Sequence, residues 1–186
     1  MTTMRRLVCI GALTFGAIVS RAVEDREALV NDLVGEVSSV ESKIIALAKA
    51  MPDSAYEWRP SKSVRSTREV FIHVAADNYF MPVLMGTAAP ADTGINIEGR
   101  GVTVAAFEKR SLTRDEILTQ LERSFAFLKK SMKATTRAEL DAQAKFERRK
   151  MTTRVFWIRT TTHLHEHLGQ LIAYARSNEV TPPWSK

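Results

Sequence analysis

Phe156-Trp157-Ile158-Arg159-Thr160-Thr161-Thr162-His163-Leu164-His165-Glu166-His167-Leu168-Gly169-Gln170-Leu171-Ile172-Ala173-Tyr174 carries apolar residues and histidines at helical spacing. Phe156, His163, His167, Leu171 and Tyr174 recur at the spacing of one helical face. The run contains no proline, and it predicts a helix from about Thr152 to Ser177, closed before Pro182-Pro183. A helix that carries two histidines on its apolar face needs other helices to cover that face.

Three more helices are legible upstream. Leu29, Leu33, Val37, Val40, Ile44 and Leu47 form an apolar stripe that predicts a helix from about Glu24 to Ala50, stopped by Met51-Pro52-Asp53. Residues 54–65 read as a loop. Ser66-Thr67-Arg68-Glu69 has the pattern of a capping box, in which the serine oxygen and the glutamate satisfy backbone N–H groups at a helix start. It opens a second helix that runs to about Met85, with Pro82 bending it or ending its regular part. Thr113-Arg114-Asp115-Glu116 is a second capping box, opening a third helix with Ile117, Leu121, Phe125, Leu128 and Met132 on one face. Between them, Gly86, Pro90, Gly94, Gly99 and Gly101 mark residues 86–110 as a long crossover connection. Residues 134–150 are polar and basic, with room for a short helix over 137–144. No segment alternates in the manner of a strand. The fold class is all-α, a four-helix bundle with a long crossover.

The first 22 residues stand apart. Arg5 and Arg6 precede an apolar run from Leu7 to Val19, and Ser20-Arg21-Ala22 puts small residues at −3 and −1 of a cleavage position, followed by Val23-Glu24-Asp25. This is the layout of a secretory signal, too short to span a bilayer comfortably. The expectation is residues 1–22 as signal peptide, 23–186 as the helical domain, a periplasmic or secreted location, and no stable membrane insertion after cleavage. The net charge of +6 falls to +3 without Arg5, Arg6 and Arg21. The remaining Lys and Arg are spread along the chain, so no nucleic-acid partner is expected. Cys9 is the only cysteine, and the domain has no thiol for a disulfide, a metal or a nucleophile.

His163 and His167 are four apart and share a helix face. His165 lies roughly 200° around from His163 and points elsewhere. His73 falls in an inward stripe of the second helix with Val70, Val74 and Asp77. Three imidazoles meeting inside a bundle suit a divalent transition metal, with zinc, nickel and iron the first candidates. Three protein ligands leave a position open, as catalytic sites do. On spacing alone, two packed, hydrogen-bonded histidines are the plainer reading, and the inward face with the third helical histidine brings the metal reading level with it.

Several segments together resemble the DinB superfamily. Met51-Pro52 with Tyr56, Trp58, Arg59 and Pro60 resembles its loop after helix one. Arg65-Ser66 with Glu69 and His73-Val74-Ala75 resembles the start of its second helix, and Ser124-Phe125 fits its third. His163-x₃-His167-Leu168-Gly169-Gln170-Leu171 resembles its metal-binding helix, with Tyr174, Arg176, Asn178 and Pro182-Pro183-Trp184-Ser185 as its tail. The resemblance covers nearly all of the chain after the signal. It implies an up-up-down-down bundle, often a homodimer, with one divalent metal on His73, His163 and His167. It also implies metal-dependent chemistry on a small-molecule substrate, including transfer of low-molecular-weight thiols. Such thiols are mainly cytosolic, whereas the N-terminal pattern leads to the expectation that this chain is exported.

Asp77, one turn beyond His73, is a candidate base or imidazole-orienting carboxylate; Glu166, beside the ligand face, is a second catalytic candidate. Gln170 is a candidate to hold a ligand by hydrogen bonding. The functional expectation is an exported metal-dependent hydrolase or thiol transferase. A non-catalytic module that binds a metal or small ligand is the alternative, and a helical protein whose histidines bind nothing is the third reading.

Overall fold

The computed structural model describes residues 10–144 and 150–185. Arg5, Arg6, Cys9 and the rest of the first nine residues lie outside that range.

Seven α-helices are present among the described residues: α1 (Ile10–Ala50), α2 (Asp53–Tyr56), α3 (Thr67–Leu84), α4 (Arg100–Glu108), α5 (Arg114–Ala134), α6 (Arg137–Asp141) and α7 (Thr153–Ser177). No strand occurs among them, only an isolated antiparallel bridge between Gln143 and Thr152. The four long helices form the bundle. α1 and α3 each pack against both α5 and α7 and so stand diagonally opposed.

Both expected capping boxes form. Ser66 accepts from the Glu69 N–H while Glu69 accepts from the Ser66 N–H, and Thr113 and Glu116 do the same for α5. A third box, Thr136 with Glu139, opens α6. The apolar stripes of α1 and α5 meet inside. Val37, Val40, Ile44 and Leu47 lie buried against Ile117, Leu121, Phe125, Leu128 and Met132. Burying each such side chain stabilises the fold by about 1.5–3 kcal/mol.

Contacts between the helices correct the expected order of directions. Arg114, at the start of α5, donates to the carbonyls of Ala48 (3.2 Å) and Lys49 (2.6 Å) at the end of α1, while Lys129 pairs with Glu41 further along; α1 and α5 are antiparallel. Arg68 donates to Leu112 O (2.6 Å) and Asn78 to Ser124 Oγ (3.2 Å), so α3 and α5 run parallel. Tyr174 reaches Arg65 while His163 reaches Asp77, so α7 is antiparallel to α3. The bundle is therefore up-down-down-up, not up-up-down-down. The physical reason lies in the connections. Residues 51–66 turn the chain back at one end of the bundle, whereas parallel neighbours need a link that returns along a helix of about 27 Å.

That link is the glycine-rich crossover, and it is more structured than its composition suggests. It holds a 3₁₀ turn, Ala91–Thr93, and the helix α4, whose Phe107 stacks edge-on against Tyr79 at 5.8 Å. Gly99 sits at the N-cap of α4, a position that tolerates glycine. Two other expectations shift. α1 is already helical at Ile10, the first described residue, rather than starting near Glu24, and passes through Ala22–Val23 without a break. The loop after α1 contains α2, whose Tyr56 is buried and donates to Ala48 O at 2.7 Å. As expected, α3 runs almost to Met85, ending at Leu84 with Pro82 in its last turn. Among the described residues, no helix is long and apolar enough to cross a membrane.

Candidate metal centre

α3 and α7 run antiparallel and bring their polar inner positions face to face. His73 and Asp77, one turn apart on α3, meet His163 and His167, one turn apart on α7. One potential ligand atom from each lies within 4.8 Å of all the others. The Nε2 atoms of His163 and His167 are 3.2 Å apart. Asp77 Oδ2 is 2.8 Å from His163 Nε2 and 3.3 Å from His73 Nε2. Two ligands of a tetrahedral zinc ion, each 2.0–2.1 Å from it, are about 3.3–3.4 Å from one another. The cluster has nearly that spacing already.

The other nitrogen of each ring explains why the Nε2 atoms converge. His73 Nδ1 donates to Glu108 Oε1 at 2.5 Å. His167 Nδ1 donates to Gln170 Oε1 at 3.1 Å. His163 Nδ1 lies 3.5 Å from Glu166 Oε2. The acceptors at His73 and His167 hold the proton on Nδ1 and turn Nε2 toward the cluster, the usual backing of metal-bound histidine, whereas His163 Nε2 donates to Asp77 Oδ2 and would give up that proton to an ion. The donor set, three imidazoles with a carboxylate beside them, fits a divalent transition metal.

Protonation follows the same geometry. The hydrogen bond to Asp77 raises the His163 pKa above that of a free imidazole, against the opposing effect of burial. Burial lowers that of His167, and the neighbouring His163 and His73 add to the effect, so its lone pair is free at neutral pH. The hydrogen bond from His73 holds Glu108 below the usual carboxylate range, so its charge is present when an ion would bind.

The remaining candidates fall as follows. Asp77 is buried and directed at the Nε2 atoms, so it faces the convergence point itself. Glu166 is 76% exposed at its side chain and touches only the outer nitrogen of His163. His165 points away, with Nδ1 on Thr161 O at 2.9 Å and Nε2 near Glu36. Gln170 contacts the His167 ring and passes a hydrogen bond on to Tyr174 (3.0 Å). Glu108 was missed in the sequence because it lies in the crossover, 35 residues from the histidine it holds. Val104 and Phe107, a helical turn that packs on the bundle just before it, were the available signal. A cleft of about 180 Å³ opens beside the cluster, lined by Met81, Met151, Phe156, Thr160, His163 and Glu166.

Among curated proteins, none matches this sequence. Solved structures do. A DinB-like protein from Bacillus subtilis superposes with a TM-score of 0.61 at 17% identity, over 81% of this chain and 94% of that one. A DinB-like protein from Bacillus cereus gives 0.61 at 16% identity, over 84% and 95%. These likenesses concern the fold. The family model described as the DinB superfamily matches residues 37–171, which span the bundle and all three converging histidines, and the chain belongs to that superfamily.

Proposed function

We propose that the protein is a metal-dependent enzyme for a small-molecule substrate, with one divalent transition metal on His73, His163 and His167. The observation that carries this reading is the convergence of three Nε2 atoms, two of their rings hydrogen-bonded at Nδ1 to an oxygen, beside an open cleft. A divalent ion there supplies Lewis acidity and an activated nucleophile near neutral pH. The chain's own groups do the rest. Glu108 and Gln170 hold the His73 and His167 rings in orientation. Asp77 Oδ2, at the convergence point, is placed to accept a proton from a nucleophile and return it to a leaving group. Met81, Met151 and Phe156 give the cleft an apolar wall against which a substrate can exclude water.

The reaction is hydrolysis or thiol transfer. Export favours hydrolysis, because low-molecular-weight thiol cosubstrates are mainly cytosolic. Removal of residues 1–22, a periplasmic or secreted location and a homodimer belong to the same proposal; they rest on the N-terminal pattern and the family resemblance.

A second reading has its own support. Asp77 Oδ2 is close enough to act as a fourth ligand, which would close the centre in the manner of a binding or structural site. Elemental analysis of the untagged protein separates the two. Wild type should carry roughly one transition-metal equivalent and His163→Ala none. Retention in Asp77→Asn, with loss of turnover on a panel of esters, amides and thiol conjugates, supports the enzyme. Loss of metal in Asp77→Asn supports the closed module. A wild type that takes up no metal after reconstitution overturns both.

A further inference from the structure

Behind His73, on the Nδ1 side of its ring, a second cavity of about 280 Å³ is walled by the 59–65 loop, the start of α3 and the end of α4. Its charge is lopsided. Arg59, Lys62, Arg65 and Lys109 line it against only two carboxylates, Glu69 and Glu108. Both acids are already engaged. Glu69 accepts from the Ser66 N–H at 2.7 Å and pairs with Arg59 at 3.3 Å. Glu108 accepts from His73 and pairs with Arg65 at 3.4 Å. Lys62 and Lys109 are exposed and have no carboxylate partner among the described residues. Like charges gathered on a concave wall focus a positive potential and raise the local concentration of anions.

The cavity is also wired to the metal centre. The Arg65 guanidinium contacts the carboxylate that holds His73. Its backbone carbonyl accepts from Tyr174 OH at 3.2 Å. Tyr174 in turn accepts from Gln170, which holds His167. Two of the three converging imidazoles are thus anchored through chains that end on Arg65.

We propose that this cavity binds a small anion, a carboxylate or a phosphate, at a site separate from the cleft beside the metal centre. Lys62 and Lys109 supply uncommitted charge, and Arg65 links the bound anion to the ligand-holding residues. The proposal does not depend on the catalytic reading above, because the cavity and the cleft share no lining residue.

The test is calorimetric titration of the full chain with inorganic phosphate and, separately, with succinate, alongside the Lys62→Ala/Lys109→Ala double variant. Both lysines are exposed, so the fold should survive their loss, with an unchanged melting temperature as the check. Wild type should bind at least one anion, and the double variant should bind it about tenfold more weakly, with the difference shrinking at about 0.3 M salt. A preference for one probe distinguishes phosphate from carboxylate. Wild type that carries metal but binds neither anion, or a double variant that binds as wild type does, overturns the proposal and leaves the catalytic reading in place.

Discussion

Glu108→Ala removes the acceptor on His73 Nδ1 while leaving all three Nε2 ligands in the chain, so it isolates orientation from ligation. The contact it deletes is a 2.5 Å bond to a carboxylate that is 22% exposed at its side chain and ionised at neutral pH. Loss of a partner of this kind lowers metal affinity about 10–100-fold. That corresponds to about 1.4–2.8 kcal/mol of binding free energy. Linkage turns the loss into a melting temperature. With free zinc at about 1,000 times the wild-type Kd, binding adds about 4.1 kcal/mol of stability, and a hundredfold weaker site adds only about 1.4 kcal/mol at the same concentration. For a chain of this size each kcal/mol is worth about 2–4 °C, so zinc should raise Tm by about 8–16 °C in wild type and by about 3–6 °C in the variant. The assay is differential scanning calorimetry of chelator-stripped protein with and without zinc, each variant against its own metal-free baseline. Competition with a chromogenic chelator supplies the Kd. Glu108→Gln, which keeps an acceptor and loses the charge, should fall between. Wild-type affinity and an undiminished zinc-induced rise in Glu108→Ala would refute the reasoning, because the imidazole would then be held by packing alone.

Two further predictions concern the bundle itself. Leu121 is fully buried at the centre of the α5 stripe, so Leu121→Ala should cost about 2–5 kcal/mol in urea unfolding, and a loss near zero would mean that the stripe is not the core. Acid should also destabilise the fold. The backbone N–H groups of Ser66 and Thr113 hold Glu69 and Glu116 below the usual carboxylate range, and Arg123 and Arg154 do the same for Asp92 and Asp141. The unfolded chain then takes up protons first. The stability these groups confer is complete above their unfolded values, about pH 4, and is lost as pH falls through the lower folded values. A urea midpoint no lower at about pH 3 than at about pH 6 would contradict this sign.

Local chemistry made much of the molecule readable in advance. A capping box is decided by residues three apart, and an amphipathic stripe by residues three and four apart. Ser66, Thr113 and the α5 stripe could therefore be read without knowing what they pack against. The same holds for His163 and His167, whose shared face follows from helical geometry alone. The inward stripe of α3 announced His73 as well, since burial of an apolar face carries its polar members inside. The crossover failed the same test. Its glycines mark breaks, but they do not forbid a helix that draws its stability from docking, and α4 forms because Phe107 and Val104 find the bundle.

Neighbours along the chain were enough to specify a set of helices, their caps and the side chains each turns inward. Tertiary structure decided the rest. The up-down-down-up order depends on which ends the connections join, and periodicity carries no information about direction. The approach of Asp77 to the two α7 histidines depends on the register of two antiparallel helices. The role of Glu108 depends on a crossover folding back to set a carboxylate against His73. Hydrogen bonds and ligand geometry are short-ranged in space and indifferent to separation in sequence, so these contacts exist only once the bundle has closed.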